Sequence, residues 1–515
     1  MFPRLLTCLL LSPSFACQAT PAEVLVERPP LESVLANIQR AVGAVSYGKS
    51  GAPVTLSGRA LNLGEEVDCH LTFAPGGNYA VRLSGELGSA QGFDGSEAWE
   101  TGFDGSTRRL ELEERDRTLL TSWIQTGHWL DARAPIDVSW ASSDRDGTLL
   151  QVRLRDTPLT GVLEVDAGTG LPSGLRMETN AADKQWSFQD WRDVGGVRVA
   201  HHVRIEQEGA PETWMRWESH APAPVTVRSP FSRPRGKPRG TLYEPGLSGP
   251  VPSIKLASGH VMVNPRVNGR DVGWFLLDSG AGATCIERRV ARELGMRDVG
   301  DLLAVGTSGS TEADMRRGER LSLGPVTLED PNFLALDLRF LASLSDERIS
   351  GILGYDLFAR CVLELDSRSG DVALYAPESY SADVDWQVLR IDSRVPTVEA
   401  RFEGDHSGFF RIDSGAGGTV TFHSPLVEEL ELLEGRKVRR GRAGGVGGSA
   451  PVYSGRIAWF ELAGHRFEGP TVDFATADTG ALSDRYLAGN LGQTFLEPFR
   501  LVFDYPNERI AFVPR

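Results

Sequence analysis

One seven-residue phrase occurs twice in this chain of 515 residues. It reads Asp278-Ser279-Gly280-Ala281-Gly282-Ala283-Thr284 and then Asp413-Ser414-Gly415-Ala416-Gly417-Gly418-Thr419, with six of the seven positions identical. An apolar run precedes each copy, so each Asp is expected where a buried strand ends in a tight turn. Two carboxylates held close together share one proton and titrate as a unit. Such a pair can act as a base on bound water and as an acid on a bound substrate.

A second landmark accompanies each copy of the phrase. Ile352-Leu353-Gly354 follows Asp278 and Asn490-Leu491-Gly492 follows Asp413, and the glycine lies 76 and 79 residues after the Asp. Each glycine then precedes a closing Asp, Asp366 or Asp504, by 12 residues. A repeat that keeps three landmarks at this spacing indicates a duplicated unit. The two phrases are therefore expected at corresponding points of two halves that fold against each other.

These segments resemble a known family. Phe275-Leu276-Leu277-Asp278-Ser279-Gly280-Ala281 with Gly351-Ile352-Leu353-Gly354, and their counterparts in the second unit, are similar to the two signatures of retropepsin-like and pepsin-like aspartic peptidases. The nearest resemblance is to predicted exported bacterial aspartyl proteases that carry two small lobes in one chain. It implies two β-barrel lobes, a catalytic pair formed by Asp278 and Asp413, hydrolysis of peptide bonds without a cofactor or metal, and a monomer with an intramolecular pseudo-dimer. Aspartic proteases are themselves an established example of two carboxylates sharing a proton.

Supporting residues are expected around the two Asp residues. The glycine in each Asp-Ser-Gly allows a sharp turn and a close approach of peptide backbone. The resemblance implies that the serine hydroxyls hydrogen-bond across the interface between lobes and that the later glycines pack beneath the loops. The residues in these supporting positions are Ser279, Gly280, Ser414, Gly415, Gly354 and Gly492. Asn490 departs from the apolar residue that the family prefers, so the second unit deviates at this point.

Two glycine-rich segments, residues 304–310 and 444–449, lie between the Asp phrase and the later glycine. They are expected to be hairpin tips that close over an extended substrate and exclude water. Neither is a phosphate loop, because no Lys follows at the required place. The pepsin-type flap tyrosine is missing, so the arrangement is nearer to the two-flap retropepsin pattern. The predicted flap residues are Gly306, Ser308, Gly309, Gly447 and Gly448.

Other residues of the duplicated units receive structural interpretations. Glu364, Asp366 and Asp504 are interpreted as strand-end charges in solvent. A helix is predicted over residues 287–294, with Val290, Ala291 and Leu294 packing inward.

Composition sets the fold class and excludes some partners. The chain has 57 Gly and 30 Pro, which indicates many turns and a mainly β fold. Its net charge of −15 argues against nucleic acid as the main partner. The predicted organisation is a signal peptide (1–19), an N-terminal β-rich domain (20–220), a linker (221–250) and two protease lobes (251–380 and 381–515).

The N-terminus has the features of an export signal. A charged start is followed by an apolar run over residues 5–11, which predicts an exported protein, periplasmic or extracellular. Two alternatives stay open: cleavage after Ala19, or lipid attachment at Cys17, which would give an outer-membrane lipoprotein. The three cysteines beyond this segment, Cys69, Cys285 and Cys361, are expected to be buried free thiols. His201 and His202 alternate along a strand and point to opposite faces, so they are not interpreted as a metal pair.

The N-terminal region predicts one helix and an antiparallel meander. Apolar residues recur at helical spacing over residues 31–44. The predicted strands are residues 54–61, 67–73, 79–83, 149–154, 161–165, 175–178 and 197–207. The repeated Gly-Phe-Asp-Gly-Ser segments at 92–96 and 102–106 are interpreted as hairpin turns. Together with Trp99 and the segments 166–172 and 193–197, they resemble the curved half-barrel of bacterial lipoprotein carriers, which implies a concave apolar surface for an acyl chain or a peptide.

The linker is rich in proline and contains five cations. The prolines predict a semi-rigid spacer in solvent. The alternative is an inhibitory pro-segment whose cations neutralise the two Asp residues. These cations are Arg228, Arg233, Arg235, Lys237 and Arg239.

Two hypotheses of function follow from the sequence. The first is an aspartic endopeptidase that acts on peptide or protein substrates through Asp278 and Asp413. The alternative is a non-catalytic exported carrier, or a peptide- or lipid-binding protein, in which the half-barrel binds the ligand. The intact second Asp argues against the carrier, because a carrier leaves it without explanation.

Overall fold

The computed structural model describes residues 29–43, 52–141, 148–179, 183–224, 228–244, 249–306, 309–445 and 448–515. The predicted signal segment, with Cys17 and the cleavage site at Ala19, lies outside the described residues, as do Ser308 and Gly447. The predicted fold class is confirmed, because the chain is built mainly from antiparallel β-sheets. None of the helices in the described residues is long and apolar enough to cross a membrane.

Helices are few and short. They are α1 (Leu31–Val42), α2 (Leu112–Gln125), α3 (Arg288–Glu293), α4 (Tyr355–Phe358), α5 (Ser424–Glu429) and α6 (Gln493–Leu496). Short 3₁₀-helices span Arg339–Ser343, Pro377–Ser379, Glu403–Asp405, Ala481–Ser483 and Tyr505–Asn507.

Strands carry most of the structure. The first thirteen are β1 (Val54–Asn62), β2 (Glu65–Phe73), β3 (Tyr79–Leu83), β4 (Ala90–Phe93), β5 (Ala98–Thr101), β6 (Thr107–Arg109), β7 (Ile136–Trp140), β8 (Leu149–Leu154), β9 (Thr160–Val165), β10 (Pro172–Met177), β11 (Lys184–Val194), β12 (Val197–Gln207) and β13 (Thr213–Pro222). The next sixteen are β14 (Thr241–Tyr243), β15 (Gly249–Val251), β16 (Ser253–Lys255), β17 (Val261–Val263), β18 (Arg266–Val267), β19 (Arg270–Asp271), β20 (Trp274–Leu277), β21 (Cys285–Glu287), β22 (Arg297–Gly306), β23 (Gly309–Arg317), β24 (Arg320–Leu323), β25 (Val326–Glu329), β26 (Asn332–Leu336), β27 (Ile349–Leu353), β28 (Val362–Asp366) and β29 (Val372–Tyr375). The last are β30 (Trp386–Val388), β31 (Arg390–Asp392), β32 (Val395–Phe402), β33 (His406–Asp413), β34 (Val420–Phe422), β35 (Arg439–Gly445), β36 (Gly448–Arg456), β37 (Trp459–Leu462), β38 (His465–Glu468), β39 (Thr471–Ala475), β40 (Gly489–Gly492), β41 (Phe499–Asp504) and β42 (Arg509–Pro514).

The N-terminal module, residues 29–224, is one 13-stranded antiparallel sheet made of two meanders, β1–β6 and β7–β13, which join where β1 pairs with β13. Two helices lie on its apolar face. Ile38 and Val42 of α1 and Leu120 and Trp123 of α2 belong to the same buried cluster as Leu56 of the sheet. The predicted helix α1 is confirmed and ends at Gly43, whose φ of 78° terminates it. Helix α2 was missed because its first turns are crowded with charged residues. The apolar surface that the carrier resemblance implied therefore holds the protein's own helices.

Residues 249–515, the C-terminal part, show the duplication in their strand order. The first unit contains neighbouring strands in the order β20-β27-β21-β26-β23-β22, and the second contains β33-β40-β34-β39-β36-β35. Each strand that leads to an Asp phrase pairs in parallel with the strand of the later glycine landmark. A further sheet, β15-β29-β28-β41-β42-β30, joins the ends of both units.

The closing Asp residues are not solvent-exposed, so that expectation was wrong. Asp504 is 0% exposed and accepts hydrogen bonds from Asn507 and, at 2.7 Å, from Arg509. Asp366 is 5% exposed, accepts from the backbone N–H of Arg368 and pairs with Arg515. Their strands β28 and β41 are neighbours inside the joining sheet, which buries both strand ends. Glu364 is also partly covered and accepts a hydrogen bond from Tyr380 at 2.6 Å.

The linker is not a solvated spacer. Its Phe231 is buried and accepts a hydrogen bond through its carbonyl from Trp99 of the N-terminal module at 2.6 Å. Strand β14 pairs with β25 of the first unit, and β15 pairs with β29. The segment is therefore attached to both parts of the molecule.

The structure agrees with the predictions for the three cysteines and for the helix that follows the first Asp phrase. Cys69, Cys285 and Cys361 are free and buried, and burial raises the pKa of each thiol to about 12. In α3, Val290 and Ala291 are buried in the core.

Candidate active site

The two Asp phrases meet because each follows a buried strand held by a parallel neighbour. In the first unit Leu277 pairs with Leu353, and the backbone N–H of Asp278 donates to the Leu353 carbonyl at 2.9 Å. In the second unit Asp413 itself pairs with Gly492. Both Asp residues thus lie where a strand ends in a turn, as the apolar lead-ins predicted.

The carboxyl groups of Asp278 and Asp413 lie side by side, because a Cβ atom at Gly280 would lie within 3.1 Å of an Oδ1 atom of each. Each unit places its glycine against the other unit's carboxyl. A Cβ atom at Gly415 would lie 2.2 Å from Cγ of Asp278, and one at Gly280 would lie 2.6 Å from Oδ1 of Asp413. No side chain fits at these distances, so glycine is required at both positions. The N–H of Gly280 also donates to Oδ1 of Asp278 at 2.7 Å.

The serines after the two Asp residues interlock the loops. The N–H of Ser279 donates to Oγ of Ser414 at 2.8 Å, and the N–H of Ser414 donates to Oγ of Ser279 at 3.0 Å. Each hydroxyl then donates across the interface, Ser279 to the Ile412 carbonyl at 2.7 Å and Ser414 to the Leu277 carbonyl at 3.0 Å. Both serines are buried. The hydrogen bonds that the family resemblance implied are therefore present.

The later glycines pack directly beneath the Asp loops. A Cβ atom at Gly354 would lie 2.4 Å from the Ala281 carbonyl oxygen, and one at Gly492 would lie 2.5 Å from the Gly418 carbonyl oxygen. The next residue in the first unit, Tyr355, donates its N–H to the Ala281 carbonyl at 2.9 Å. These contacts hold both loops in place from below.

Asn490 has a partner that the sequence did not indicate. Its Oδ1 lies 3.0 Å from Nε2 of His423, which is 0% exposed. Burial lowers the pKa of His423 to about 4, so the ring is neutral at neutral pH and can donate one hydrogen bond to the amide oxygen. The polar residue in the second unit therefore belongs to a buried hydrogen-bonded pair.

The two carboxyl groups have different electrostatic surroundings. Burial, and next the nearby Asp413, raise the pKa of Asp278 to about 8. Burial also raises the pKa of Asp413, but the guanidinium of Arg411 opposes this shift. Arg411 is held by Asp484 at 2.6 Å and by the Ala481 carbonyl at 3.1 Å. When the pair holds one proton, Asp278 is therefore the favoured site for it.

A cavity of about 1650 Å³ lies above the pair. The hairpins β22–β23 and β35–β36 reach it, and Gly306 and Gly448 are among its lining residues. Gly309 lies opposite Gly306 in the first hairpin. The remaining predicted flap residues, Ser308 and Gly447, lie outside the described residues. Turns of the N-terminal module form a further wall of this cavity, which the sequence did not indicate.

Three of the linker cations have partners outside the Asp pair. Arg233 pairs with Glu97 and Glu508, Lys237 pairs with Glu378, and Arg239 donates to the Phe103 carbonyl. The hypothesis that the linker neutralises the Asp pair is therefore wrong for Arg233 and Lys237, whereas Arg239 lines the cavity that contains the pair. In the part of the chain that the structure describes, no group of three or more His, Cys, Asp or Glu residues could hold a metal ion.

Comparison with known proteins bears on the C-terminal part. A family model described as aspartyl protease matches residues 263–357 and 398–495. This part of the chain has an aspartic-protease-like fold. Residues 249–515, the protease-like part, include both Asp phrases and both later glycines.

Other comparisons add little. No curated protein matches the chain. The crystal structure of the aspartic proteinase from Irpex lacteus matches with 15% sequence identity and a TM-score of 0.34, and the match covers 52% of this chain and 97% of that chain. A likeness this distant carries no argument about activity.

Proposed function

We propose that the protein is an aspartic endopeptidase in which Asp278 and Asp413 hydrolyse peptide bonds. The observation that carries the proposal is the pair of adjacent carboxyl groups from two duplicated loops, lying at a cavity large enough for a peptide segment. The protease-like fold supports a hydrolase of this class. Like charges this close do not both ionise at low cost, so the pair retains one proton near neutral pH.

The proton positions give each carboxyl a role. Asp413, the ionised member, takes a proton from a bound water, and the water oxygen adds to the peptide carbonyl carbon. Asp278 gives its proton to the carbonyl oxygen in the same step. When the tetrahedral intermediate breaks its C–N bond, Asp413 returns its proton to the leaving nitrogen and Asp278 recovers one from a hydroxyl. The serine interlock and the glycine contacts keep the two carboxyls in register for this exchange.

The carrier hypothesis lacks a comparable observation, since helices α1 and α2 pack on the apolar face of the N-terminal sheet. Peptide or protein remains the proposed partner. Export of the protein, with or without a lipid at Cys17, stays a prediction from the leader segment.

The test is hydrolysis of a diverse peptide library by the full chain across pH. Asp278→Asn and Asp413→Asn are expected to abolish cleavage without unfolding the protein. Asp478→Asn is the matched control, because Asp478 is exposed and does not line the cavity. A statine-type transition-state mimic is expected to bind the wild-type chain and not the double Asn variant. Cleavage at the wild-type rate by either active-site variant would overturn the proposal.

A further inference from the structure

One end of the N-terminal sheet faces the Asp pair. In each of the two antiparallel meanders alternate connections leave the sheet at the same end, and the antiparallel β1–β13 pair decides which connections of the two meanders share an end. The connections after β1, β3, β5, β10 and β12 all lie at that end, and residues at or beside them line the cavity that contains Asp278. They include Leu63, Glu86, Phe103, Lys184 and Gln207. The N-terminal module therefore forms one wall of the cavity that contains Asp278.

The turn at 102–106 is fastened to the protease-like part. Asp104 pairs with Arg360 at 2.8 Å, and the Arg360 side chain is only 5% exposed. The guanidinium of Arg394 lies over the ring of Phe103 at 5.8 Å and over the ring of Tyr355 at 5.7 Å. Arg394 thus contacts an aromatic ring on each side of the boundary between the two parts.

A buried ion network continues from this turn. Arg108, 3% exposed, pairs with Glu100 at 2.9 Å and with both carboxylate oxygens of Glu114 at 2.7 and 2.9 Å. It also donates to the Ile391 carbonyl at 3.0 Å. Glu114 accepts from the N–H of Ser393 at 2.7 Å. Glu100 accepts from Arg394 at 3.3 Å, so two carboxylates of the N-terminal module hold one turn of the protease-like part.

That turn lies against the first Asp phrase. Ser393 and Arg394 join β31 to β32, and both have positive φ, 52° and 64°, which defines a tight turn. The Ser393 carbonyl oxygen is so close to Gly282 that a Cβ atom there would lie 2.9 Å from it. Tyr355, the ring beneath Arg394, donates its N–H to the Ala281 carbonyl of the same phrase. The turn therefore contacts the loop of Asp278 both directly and through Tyr355.

We propose that the N-terminal module is a working part of the catalytic site and that Arg394 is the positioning residue through which it acts. Glu100, Glu114 and Phe103 fix the 393–394 turn, and the turn fixes the loop that carries Asp278. The proposal rests on the proposed function, because it concerns the geometry of the same carboxyl pair. It makes peptide cleavage a joint property of both parts of the chain.

The test compares two variants of the full chain that disturb the link from opposite sides. Arg394→Lys keeps the charge but loses the planar stacking on two rings and the directed bond to Glu100. Glu114→Gln keeps the shape but removes the charge that holds Ser393. Both are expected to lower kcat by about 10- to 100-fold, the effect of a small misplacement of a catalytic group, while KM changes by less than about threefold. Arg401→Lys, on strand β32 that follows the turn, is the control, because Arg401 is exposed and lies outside the cavity.

The outcomes separate this inference from the proposed function. The inference is supported if wild type cleaves peptide, Asp278→Asn does not, and Arg401→Lys has the wild-type kcat. In addition, the two link variants, Arg394→Lys and Glu114→Gln, must lose more kcat than their unfolded fraction explains. Wild-type kcat in both link variants, with Asp278→Asn still inactive, would overturn the inference and leave the function standing. A loss of kcat equal to the unfolded fraction would also overturn it. If wild type and Asp278→Asn cleave alike, the proposed function fails and the inference fails with it.

Discussion

Replacing Ser414 by alanine is expected to loosen the junction between the two Asp loops. The substitution removes the acceptor for the N–H of Ser279, at 2.8 Å, and the donor to the Leu277 carbonyl, at 3.0 Å. A buried N–H left without a partner costs about 1–3 kcal/mol, and the second lost bond about 0.5–1.5 kcal/mol. We therefore expect the local opening of this junction to become easier by about 2–4 kcal/mol.

Hydrogen exchange of the peptide that contains Ser279 measures this opening directly. A change of 2–4 kcal/mol corresponds to exchange that is about 30- to 900-fold faster, since about 1.36 kcal/mol is a factor of ten. The kcat of peptide hydrolysis should fall in the same variant, because Asp278 adjoins the released amide. Ser414→Thr is the matched control, since it keeps the hydroxyl and should exchange within about threefold of wild type. Unchanged exchange in Ser414→Ala would refute the reasoning that these bonds join the loops.

Four further predictions concern the charge of Asp278, its effect on stability, a buried polar pair and a thiol. Because the pKa of Asp278 is raised to about 8, the pair loses its shared proton as pH rises through that value, and kcat/KM should decline there. A kcat/KM that stays constant up to about pH 10 would contradict the assignment of the proton to Asp278. A carboxyl whose pKa is higher in the folded than in the unfolded protein destabilises the fold as pH rises. The free energy of unfolding of Asp278→Asn, relative to wild type, should therefore be larger at about pH 9 than at about pH 5. Urea unfolding of both proteins at the two pH values measures this difference. Asn490→Leu should lower the free energy of unfolding by about 1–3 kcal/mol, since it leaves the buried ring of His423 without its acceptor, whereas an unchanged urea midpoint would show that the pair is not needed. Cys361 should react with a thiol reagent only on unfolding, because it is buried and its pKa is raised to about 12; rapid labelling of the native protein would contradict this.

The local features of the candidate site could be predicted from the sequence. Each Asp phrase follows a buried strand and each later glycine lies under a loop, because an apolar run and a glycine act over a few residues of chain. The repeat added one long-range inference, namely that the two phrases occupy equivalent places. The structure places Asp278 and Asp413 side by side, with Gly415 and Gly280 against the opposite carboxyls.

Features that depend on which strands become neighbours could not be predicted in this way. Asp366 and Asp504 looked like solvent-exposed strand ends, but β28 and β41 pair inside a shared sheet and bury both. Asn490 looked like a defect until its partner His423 was known, and the two lie 67 residues apart in sequence. A polar residue carries no sign of its distant partner, so its burial and its cost are decided by the fold.

By itself, the sequence determined the mainly β fold, the duplicated unit and the two carboxylates, because these follow from composition, periodicity and spacing within the chain. Tertiary structure decided that the connections at one end of the N-terminal sheet line the cavity of the Asp pair. It also decided that Glu114 holds the 393–394 turn. The residues joined by that contact, Glu114 and Ser393, are 279 apart in sequence. Contacts over such separations arise from the packing of whole sheets, which no local pattern encodes.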